Sequence, residues 1–586
     1  MFAWRRYLSS LARLKAANTR DDLANILNVK PKDLSYILYV MPPGTKYTSF
    51  DIPKASGGTR TVHAPNSHLK SLQDRTSKLL YDCFDEILPI NLNRGARALS
   101  HGFQRKRNLS IISNGAKHRN RRFLFNLDLE DFFGSFNFGR IRGYFISNND
   151  FRLKSPVATA LAQIVCHENK LPQGAPSSPI VTELITRILD VRLLKIAKEF
   201  GCTYSRYADD ISFSTNKHSF PDSIAVPRDD GIWSVGPAVL NKITQSGFRI
   251  NDSKTRMQLK SSRQVATGLV VNEKVNVPAE YSKQVRSMTF ALFQTGKCFA
   301  QDVRSKAANP VSIAALGGKI EHMFHVKSKE YLDDQGKPHP VSRFEGDRIK
   351  IPAFYRNYGD FIFFRSFCFN DKPIILCEGV TDNIYLKAAM KSKAASFKSL
   401  AVAHITSKKT SLLVDFYSYS KSAQLVMKLT GGASPLKSFI ADYGLNFSRF
   451  EAAKLANPVI VVVDNDAANN PLWALLRDKY KIVGADGSAQ FYRVTKNLYV
   501  VPIPRIGGKD TFIEHLFDQA TLDAKLDGKT FDFGQKNKII AAGKYGKNAF
   551  AKNVVAVNRK TINFDGFDAV LTNIQAAIQA HATAQV

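Results

Sequence analysis

The chain has 586 residues and a formal net charge of +33. This length is too great for one hydrophobic core and predicts roughly three or four domains. The excess of positive charge favours a phosphate-bearing partner, nucleic acid before an anionic membrane surface. No apolar run approaches the roughly 20 residues that span a bilayer, so no membrane partner is expected.

Residues 1–48 are predicted to be helical. Arg5, Arg6 and Lys15 alternate with apolar residues, which indicates an amphipathic helix, and the long apolar segment of a signal peptide is missing. Six scattered cysteines without Cys-x-x-Cys spacing indicate a reducing cytoplasm and no zinc site. Two roles stay open for the N-terminal helices, namely RNA binding and support of the next domain.

A β-hairpin is predicted over residues 47–62, where β-rich residues flank the turn Gly57-Gly58. The hairpin carries two cations, Lys54 and Arg60. Either side chain could bind phosphate oxygens, and a guanidinium can do so through two parallel hydrogen bonds.

Two acidic stretches follow. Residues 123–128 have the pattern of a buried strand that ends in Asp128, and residues 203–214 predict a hairpin with Asp209 and Asp210 at its tip. Asp128 and Asp209 are expected to face each other on adjacent strands. Carboxylates in this arrangement can hold two divalent ions roughly 4 Å apart for phosphoryl transfer, and hard oxygen ligands favour Mg²⁺. A solvated turn is the alternative for two adjacent aspartates.

The intervening and following segments predict a scaffold. Residues 179–200 have the apolar spacing of a helix packed under the sheet. Residues 278–326 are basic and helical, which suits the binding of a nucleic-acid duplex through its shape and backbone charge. Residues 327–370 begin with a polar stretch and are predicted to be a linker.

The pattern changes to α/β after residue 371. A predicted strand at 373–377 is followed at once by Glu378, with Asp382 four residues later, and a strand at 458–463 ends in Asp464-Asn465-Asp466. Open α/β sheets place their sites at the carboxyl ends of parallel strands, where both acidic groups are expected.

Four stretches of the first half resemble, in chain order, motifs of reverse transcriptases, and more closely of the bacterial retron enzymes. They are the fingers segment 52–60, the palm strand with Asp128, the positioning motif 171–179 and the catalytic box Tyr207-Ala208-Asp209-Asp210. The resemblance implies a right-hand polymerase, with fingers and palm at 49–277 and a thumb at 278–326.

The same resemblance implies roles for individual residues. Asp128, Asp209 and Asp210 would be catalytic and bind Mg²⁺; Lys54, Arg60, Phe133, Gln173 and Lys254 would contact the nucleotide; Asn114, His118, Thr267 and Gly268 would contact RNA. Phe133 would block a ribose 2′-OH, and Lys254 would protonate the leaving pyrophosphate. The alternatives are a core phenylalanine, a surface lysine and, for His118, a structural hydrogen-bonding role. Gly115 and Ala266 depart from the usual alanine and valine of the two retron motifs.

Retron enzymes copy a structured non-coding RNA into DNA, priming from the 2′-hydroxyl of a guanosine. The implied partners are therefore that RNA, its branched RNA-linked DNA product and deoxynucleoside triphosphates, in the cytoplasm of a bacterium. Systems of this kind are associated with antiphage defence, in which the enzyme and its product restrain a toxic effector.

Residues 371–586 resemble a Toprim domain of the overcoming-lysogenization-defect (OLD) nuclease branch. The resemblance implies a Mg²⁺ site and catalysis by Glu378, Asp464 and Asp466, with Asp382 as a further metal ligand and nucleic acid as the target. Glu514 and Lys547 are additional candidates that an exposed helix face would explain as well.

The whole chain is thus interpreted as a multidomain α+β and α/β protein, a retron reverse transcriptase fused to a Toprim nuclease. We hypothesise that bound RNA-DNA keeps the Toprim site inactive until infection. A nucleic-acid-binding protein, or a maturase-like reverse transcriptase whose Toprim domain is structural, is the alternative. The oligomeric state is left open, a homo-oligomer included.

Overall fold

The structure is a computed structural model that describes residues 8–53, 57–88, 99–229, 231–301, 308–332, 350–404, 409–532 and 543–584. Lys54 and residues 333–349 of the predicted linker lie outside these ranges. The chain divides into two compact units, Met1–Pro278 and Ala279–Val586. All six cysteines are free. Among the described helices, none combines the length and the apolar character needed to cross a membrane.

The first unit mixes helices with short sheets. Its helices are α1 (Ser10–Lys15), α2 (Arg20–Ile26), α3 (Pro31–Ser35), α4 (Pro43–Lys46), α5 (Ser67–Ile87), α6 (Ile111–Lys117), α7 (Phe138–Ser147), α8 (Ser155–Val165), α9 (Ser178–Glu199) and α10 (Pro237–Gln245). Its strands are β1 (Tyr47–Pro53), β2 (Thr59–Pro65), β3 (Phe123–Asp128), β4 (Thr203–Tyr207), β5 (Asp210–Thr215), β6 (Ala225–Pro227), β7 (Trp233–Val235), β8 (Arg256–Leu259), β9 (Val265–Ala266) and β10 (Leu269–Val270).

A four-stranded antiparallel sheet in the order β4-β5-β3-β8 positions the acidic residues of this unit. Helix α9 buries Leu184, Leu189 and Leu193 and contacts β4, which confirms the helix predicted over 179–200. The N-terminal helices bury Leu14 and Leu23 in the same core as α9. Their apolar faces therefore pack into the core of the first unit, as a supporting role requires.

The second unit contains an α/β sheet and flanking helices. Its helices are α11 (Ala279–Thr295), α12 (Ile313–Lys327), α13 (Ala353–Phe363), α14 (Asp382–Ser392), α15 (Lys421–Met427), α16 (Ala433–Phe447), α17 (Asn470–Asp478), α18 (Gln519–Leu522), α19 (Lys547–Ala549) and α20 (Asp568–Thr583). Its strands are β11 (Phe299–Gln301), β12 (Ala308–Pro310), β13 (Ile374–Cys377), β14 (Ala401–His404), β15 (Lys409–Leu412), β16 (Asp415–Phe416), β17 (Val459–Val463), β18 (Tyr492–Thr495), β19 (Leu498–Pro502), β20 (Thr530–Phe531) and β21 (Lys544–Tyr545).

Five strands form the main sheet of this unit in the order β16-β13-β17-β19-β18. Strands β16, β13, β17 and β19 run parallel, and β18 is an antiparallel edge. The five residues of β17 are all buried, which matches the continuous β-branched run of the sequence. The carboxyl ends of β13 and β17 therefore lie side by side.

The predicted thumb helices α11 and α12 belong to this second unit and pack on α13. Phe293 of α11 contacts Phe364 and Phe450, with ring centroids 5.3 and 4.7 Å apart. Part of the predicted linker 327–370 is thus the buried helix α13, which places Tyr355 and Phe361 in the interior. The aromatic spacing after residue 352 outweighs the polar stretch on which the linker was predicted.

Candidate active sites

The first acidic cluster lies where β3 ends and the β4-β5 hairpin turns. Asp128 is directly opposite Asp210 in the register of β3 and β5, and Asp209 occupies the hairpin turn. The backbone N–H of Leu129 donates to the Asp209 carbonyl at 3.1 Å, and that of Asn251 donates to the Asp128 carbonyl at 2.9 Å. Main-chain hydrogen bonds from neighbouring segments thus hold two of the three carboxylate-bearing residues at one end of the sheet.

Two of the three carboxyls, those of Asp209 and Asp210, have raised pKa values. Burial and then the charge of Asp128 raise the pKa of Asp209 above its ordinary value. Burial and the charges of Asp209 and Asp128 raise the pKa of Asp210 to about 7. Because Asp210 keeps an exposed surface, the charges of its acidic neighbours account for this shift better than burial does. Such a group of like charges favours the approach of a cation.

Lys254 supplies one such cation. Its Nζ lies 3.0 Å from each carboxylate oxygen of Asp128, and Asn251 Nδ2 donates to Asp128 Oδ1 at 3.3 Å. Asp128 is 5% exposed, whereas the Lys254 side chain is 53% exposed. The lysine therefore reaches the buried carboxylate from the solvent side.

The donor set suits Mg²⁺, although no three acidic, histidine or cysteine side chains of the described residues form a ready metal-ligand group. Magnesium in polymerase sites is held by one or two carboxylates together with substrate phosphates and water, so a complete protein cage is not required. Asp128 and Asp209 are carboxylates of this kind. The charge of Asp128 raises the pKa of Asp209, and a bound cation would relieve this repulsion.

Of the predicted nucleotide contacts that the structure describes, Lys254 and Arg60 lie near the first acidic cluster. Arg60, exposed on β2, is close enough for its charge to lower the pKa of Asp209 in opposition to burial. The backbone carbonyl of Gln173 accepts from the His63 N–H at 2.8 Å, which ties the positioning motif to the β1-β2 hairpin. Phe133 is half-buried, and its ring lies 5.6 Å from that of Phe132 and 6.3 Å from that of Phe103.

Two predicted RNA contacts lie inside the protein. Asn114 and His118 are both 0% exposed, and the ring nitrogens of His118 lie 2.7 Å from the hydroxyls of Ser205 and Ser214. A side chain without solvent-exposed surface cannot contact RNA directly. The prediction that these two side chains contact RNA is therefore corrected, and both have a structural hydrogen-bonding role. Thr267 and Gly268 form the turn between β9 and β10, where Gly268 is exposed.

The second acidic cluster lies at the carboxyl ends of β13 and β17. Glu378 follows β13, and Asp464 and Asp466 follow β17, as their places in the sequence predict. Asn469 joins the two groups: its Nδ2 donates to Glu378 Oε2 at 3.0 Å, to the Asp464 carbonyl at 2.9 Å and to Asp466 Oδ1 at 3.4 Å. Sequence reasoning missed Asn469, because only the fold brings its amide to both strand ends.

Three carboxyls of this cluster, those of Glu378, Asp382 and Asp464, have raised pKa values. Burial, followed by the charges of Asp382 and Glu378, raises the pKa of Asp464 to about 8. Burial, followed by the charge of Glu514, raises the pKa of Asp382 to about 6, against hydrogen bonds from the Gly379 N–H (2.6 Å) and the Thr381 hydroxyl (3.2 Å). Carboxylates in excess of cations again suit a divalent metal ion.

Glu514 and Lys547 belong to the same cluster. Glu514 is 0% exposed, which contradicts the interpretation of this residue as part of an exposed helix face. Lys547 Nζ lies 3.0 Å from Glu514 Oε1, and its charge also reaches Asp382. A buried carboxylate with a cationic partner beside three other acids indicates a built site.

Comparison with known proteins identifies the first half of the chain. The family model described as "Reverse transcriptase (RNA-dependent DNA polymerase)" matches residues 52–290. The retron Ec86 reverse transcriptase of Escherichia coli is 30% identical over 283 residues, which cover 48% of this chain and 80% of that protein. The chain belongs to the retron reverse transcriptase family.

Other retron reverse transcriptases match over a similar length. Those of retrons Mx65 and Mx162 of Myxococcus xanthus are 33% and 31% identical over 48% and 47% of this chain, which spans 65% and 59% of their lengths. Among solved structures, apo telomerase from Candida Tropicalis matches 54% of this chain and 57% of its own at 13% identity, with a TM-score of 0.29 that is too low to support a conclusion.

Proposed function

We propose that the first unit is an RNA-directed DNA polymerase that copies a structured retron RNA. The observation that carries this proposal is the convergence of Asp128, Asp209 and Asp210 at one end of an antiparallel sheet in a chain of this family. Bound Mg²⁺, held by Asp128 and Asp209, would activate the attacking hydroxyl and stabilise the leaving oxygen. The net charge of +33 supports tight binding of an RNA template.

The remaining residues of the site orient and protonate. Arg60 binds the triphosphate of the incoming deoxynucleotide, and the half-buried ring of Phe133 excludes a ribose 2′-OH. Lys254, which faces Asp128 from solvent, transfers a proton to the departing pyrophosphate. Priming from a guanosine 2′-hydroxyl of the RNA leaves a branched RNA-linked DNA on the protein.

The polymerase proposal is tested by purifying the protein from its host and digesting the bound nucleic acid with ribonuclease and deoxyribonuclease. We expect branched RNA-linked DNA on the wild type and RNA alone on Asp209→Asn, Asp210→Asn. The exposed Asp150→Asn in the same unit is the matched control and should retain the DNA. RNA without DNA on the wild type would reduce this unit to a binding platform.

We further propose that the second unit is a metal-dependent phosphodiesterase of the Toprim kind. The cluster of Glu378, Asp382, Asp464 and Asp466 at the ends of two adjacent parallel strands favours this function. Glu378 would serve as general base or metal ligand, and the three aspartates would hold Mg²⁺.

This second activity is tested on labelled single-stranded and duplex DNA and RNA, with Mg²⁺ and with EDTA. Cleavage should need Mg²⁺ and be lost in Asp464→Asn, Asp466→Asn, whereas the exposed Asp478→Asn should cleave like the wild type. Cleavage that survives the double substitution would point to a contaminating nuclease and overturn the assignment.

A role in antiphage defence rests on both proposals. Here bound RNA-DNA would restrain the nuclease until infection, and cells that express the chain without its RNA should therefore stop growing. Charge reversal at Asp464 and Asp466 should restore growth. Toxicity that remains after charge reversal would separate the growth arrest from the second acidic cluster.

A further inference from the structure

A fully buried arginine lies two residues before the turn Ala208-Asp209, which we call the catalytic turn. Arg206, on β4, is 0% exposed and binds Asp190 through two parallel hydrogen bonds of 2.7 and 2.8 Å, and its Nη1 donates to Glu183 at 3.0 Å. Both carboxylates come from α9 and are 2% exposed. Desolvating such a cluster costs as much as its ion pairs return, so stability alone does not account for it.

The same guanidinium reaches the catalytic turn. Arg206 Nη1 also donates to the Ala208 carbonyl at 2.9 Å. Ala208 has a φ of +55°, a left-handed conformation that a residue with a side chain adopts at some cost, and it directly precedes Asp209. The hydrogen bond therefore holds the peptide group between Ala208 and Asp209 and stabilises the left-handed conformation of Ala208.

A second segment braces the turn from the other side. The backbone carbonyl of Arg206 accepts a hydrogen bond from the His101 N–H at 2.7 Å, and the backbone N–H of Arg206 donates to the Leu99 carbonyl at 3.0 Å. Ser100 and Gln104 each donate to Glu183 at 3.0 Å. Glu183 thus links Arg206 to the segment 99–104, which runs beside the catalytic hairpin.

We propose that Arg206 is a positioning residue for polymerisation. Its ion pairs with Asp190 and Glu183 fix the guanidinium, the guanidinium fixes the Ala208 carbonyl, and the carbonyl sets the direction of Asp209. This inference rests on the proposed polymerase function and adds a residue that acts through another. The competing explanation is that the cluster only fastens α9 to the sheet.

A matched pair of variants separates these explanations. Arg206→Lys keeps a cation but loses the planar fork that reaches both Asp190 and the turn. Tyr204→Phe removes a 2.6 Å hydrogen bond to Asp190 in the same buried cluster and leaves in place the arginine that binds the Ala208 carbonyl. Primer extension is measured as kcat per folded enzyme and as KM for the deoxynucleotide.

We expect Arg206→Lys to lower kcat on the order of 10- to 100-fold with KM nearly unchanged, because misplacing a catalytic group acts on the chemical step. Tyr204→Phe should keep the wild-type kcat. Equal values for the two variants would show a merely structural cluster and overturn the proposal. A wild type that extends no primer would overturn this proposal and the polymerase function together.

Should Arg206→Lys not fold, Glu183→Gln carries the test. An amide at position 183 keeps the shape of the side chain but cannot accept from Arg206, Ser100 and Gln104 with full charge. We expect a several-fold loss of kcat with KM unchanged, again against Tyr204→Phe. Extension by Glu183→Gln at the rate of Tyr204→Phe would contradict the proposal.

Discussion

The interior of the first unit contains polar side chains whose type alone suggests function. His118 joins the neighbouring strands β4 and β5 through the hydroxyls of Ser205 and Ser214, and Asn114 accepts from the Ser205 hydroxyl at 2.6 Å. The bonds satisfy both ring nitrogens of His118 and the amide oxygen of Asn114, which would be costly to bury alone. These contacts join the end of α6 to the β4-β5 hairpin that carries Asp209 and Asp210.

His118 should make the stability of the first unit sensitive to acid. Burial, followed by the charges of Lys117, Arg121 and His101, lowers the pKa of His118 to about 3 from an unfolded value of 6.5. Below pH 6.5 the histidine is protonated in the unfolded chain but stays neutral in the folded chain. Its contribution to the free energy of unfolding is therefore fully present above pH 6.5 and is lost as the pH falls toward 3. From pH 7 to pH 5 the loss is about 2 kcal/mol.

His118→Gln removes that titration and checks the effect. In urea unfolding, the stability gap between wild type and variant should be widest at pH 7 and narrow by about 2 kcal/mol at pH 5. His68→Gln, at an exposed position on α5, is the control and should follow the wild type at both values. A stability difference that does not change with pH would contradict the conclusion that His118 causes this loss of stability in acid.

Residue identity predicted the acids better than it predicted their neighbours. Asp128, Asp209 and Asp210 stand at strand ends, and strand ends can be predicted from local alternation and turn residues. The burial of His118 depends on strands almost a hundred residues away, which no local pattern shows. Arg206 also reads as one residue of an alternating strand, and its ion pairs appear only once α9 is packed below it.

At the scale of elements, the β4-β5 hairpin and α9 were predictable because their signals are local, whereas the brace formed by residues 99–104 was not. Gly102 is its point of closest approach: a Cβ there would lie 2.7 Å from the Ala208 nitrogen and 3.4 Å from the Tyr207 carbonyl carbon. Both are backbone atoms that cannot rotate away. The observed position of the turn Ala208-Asp209 therefore requires glycine at position 102, which lies outside the motifs found in the sequence.

Gly102→Ala should displace the catalytic turn and lower primer extension on the order of 10- to 100-fold. The matched control is Gly143→Ala in α7, where a Cβ meets nothing within 4 Å and alanine favours the helix. That variant should retain activity and be slightly more stable. If Gly102→Ala extended primers as well as Gly143→Ala, the segment 99–104 would not be a rigid brace.

At the scale of the whole molecule, the composition predicted several domains, but the boundary at residue 371 followed only the onset of the α/β pattern. The compact second unit begins at Ala279 and therefore also includes the predicted thumb helices α11 and α12. The difference comes from aromatic residues of α11, α13 and the following π-helical turn, Phe364–Cys368, which cover the α/β core. Phe363 and Phe367 contact Tyr443 and Phe439 of α16, with ring centroids 5.4 and 5.0 Å apart.

Two fragments distinguish these boundaries. Fragment 279–586 keeps the whole core and should be soluble, with one cooperative unfolding transition. Fragment 371–586 leaves Phe439, Tyr443 and Phe450 without the rings of Phe293 and Phe363, and a contiguous apolar surface of this kind drives association. It should elute as aggregates in size-exclusion chromatography and unfold without a sharp midpoint. If fragment 371–586 were soluble and unfolded cooperatively, the predicted thumb helices α11 and α12 would be an independent domain. The position of the second acidic cluster would then not depend on them.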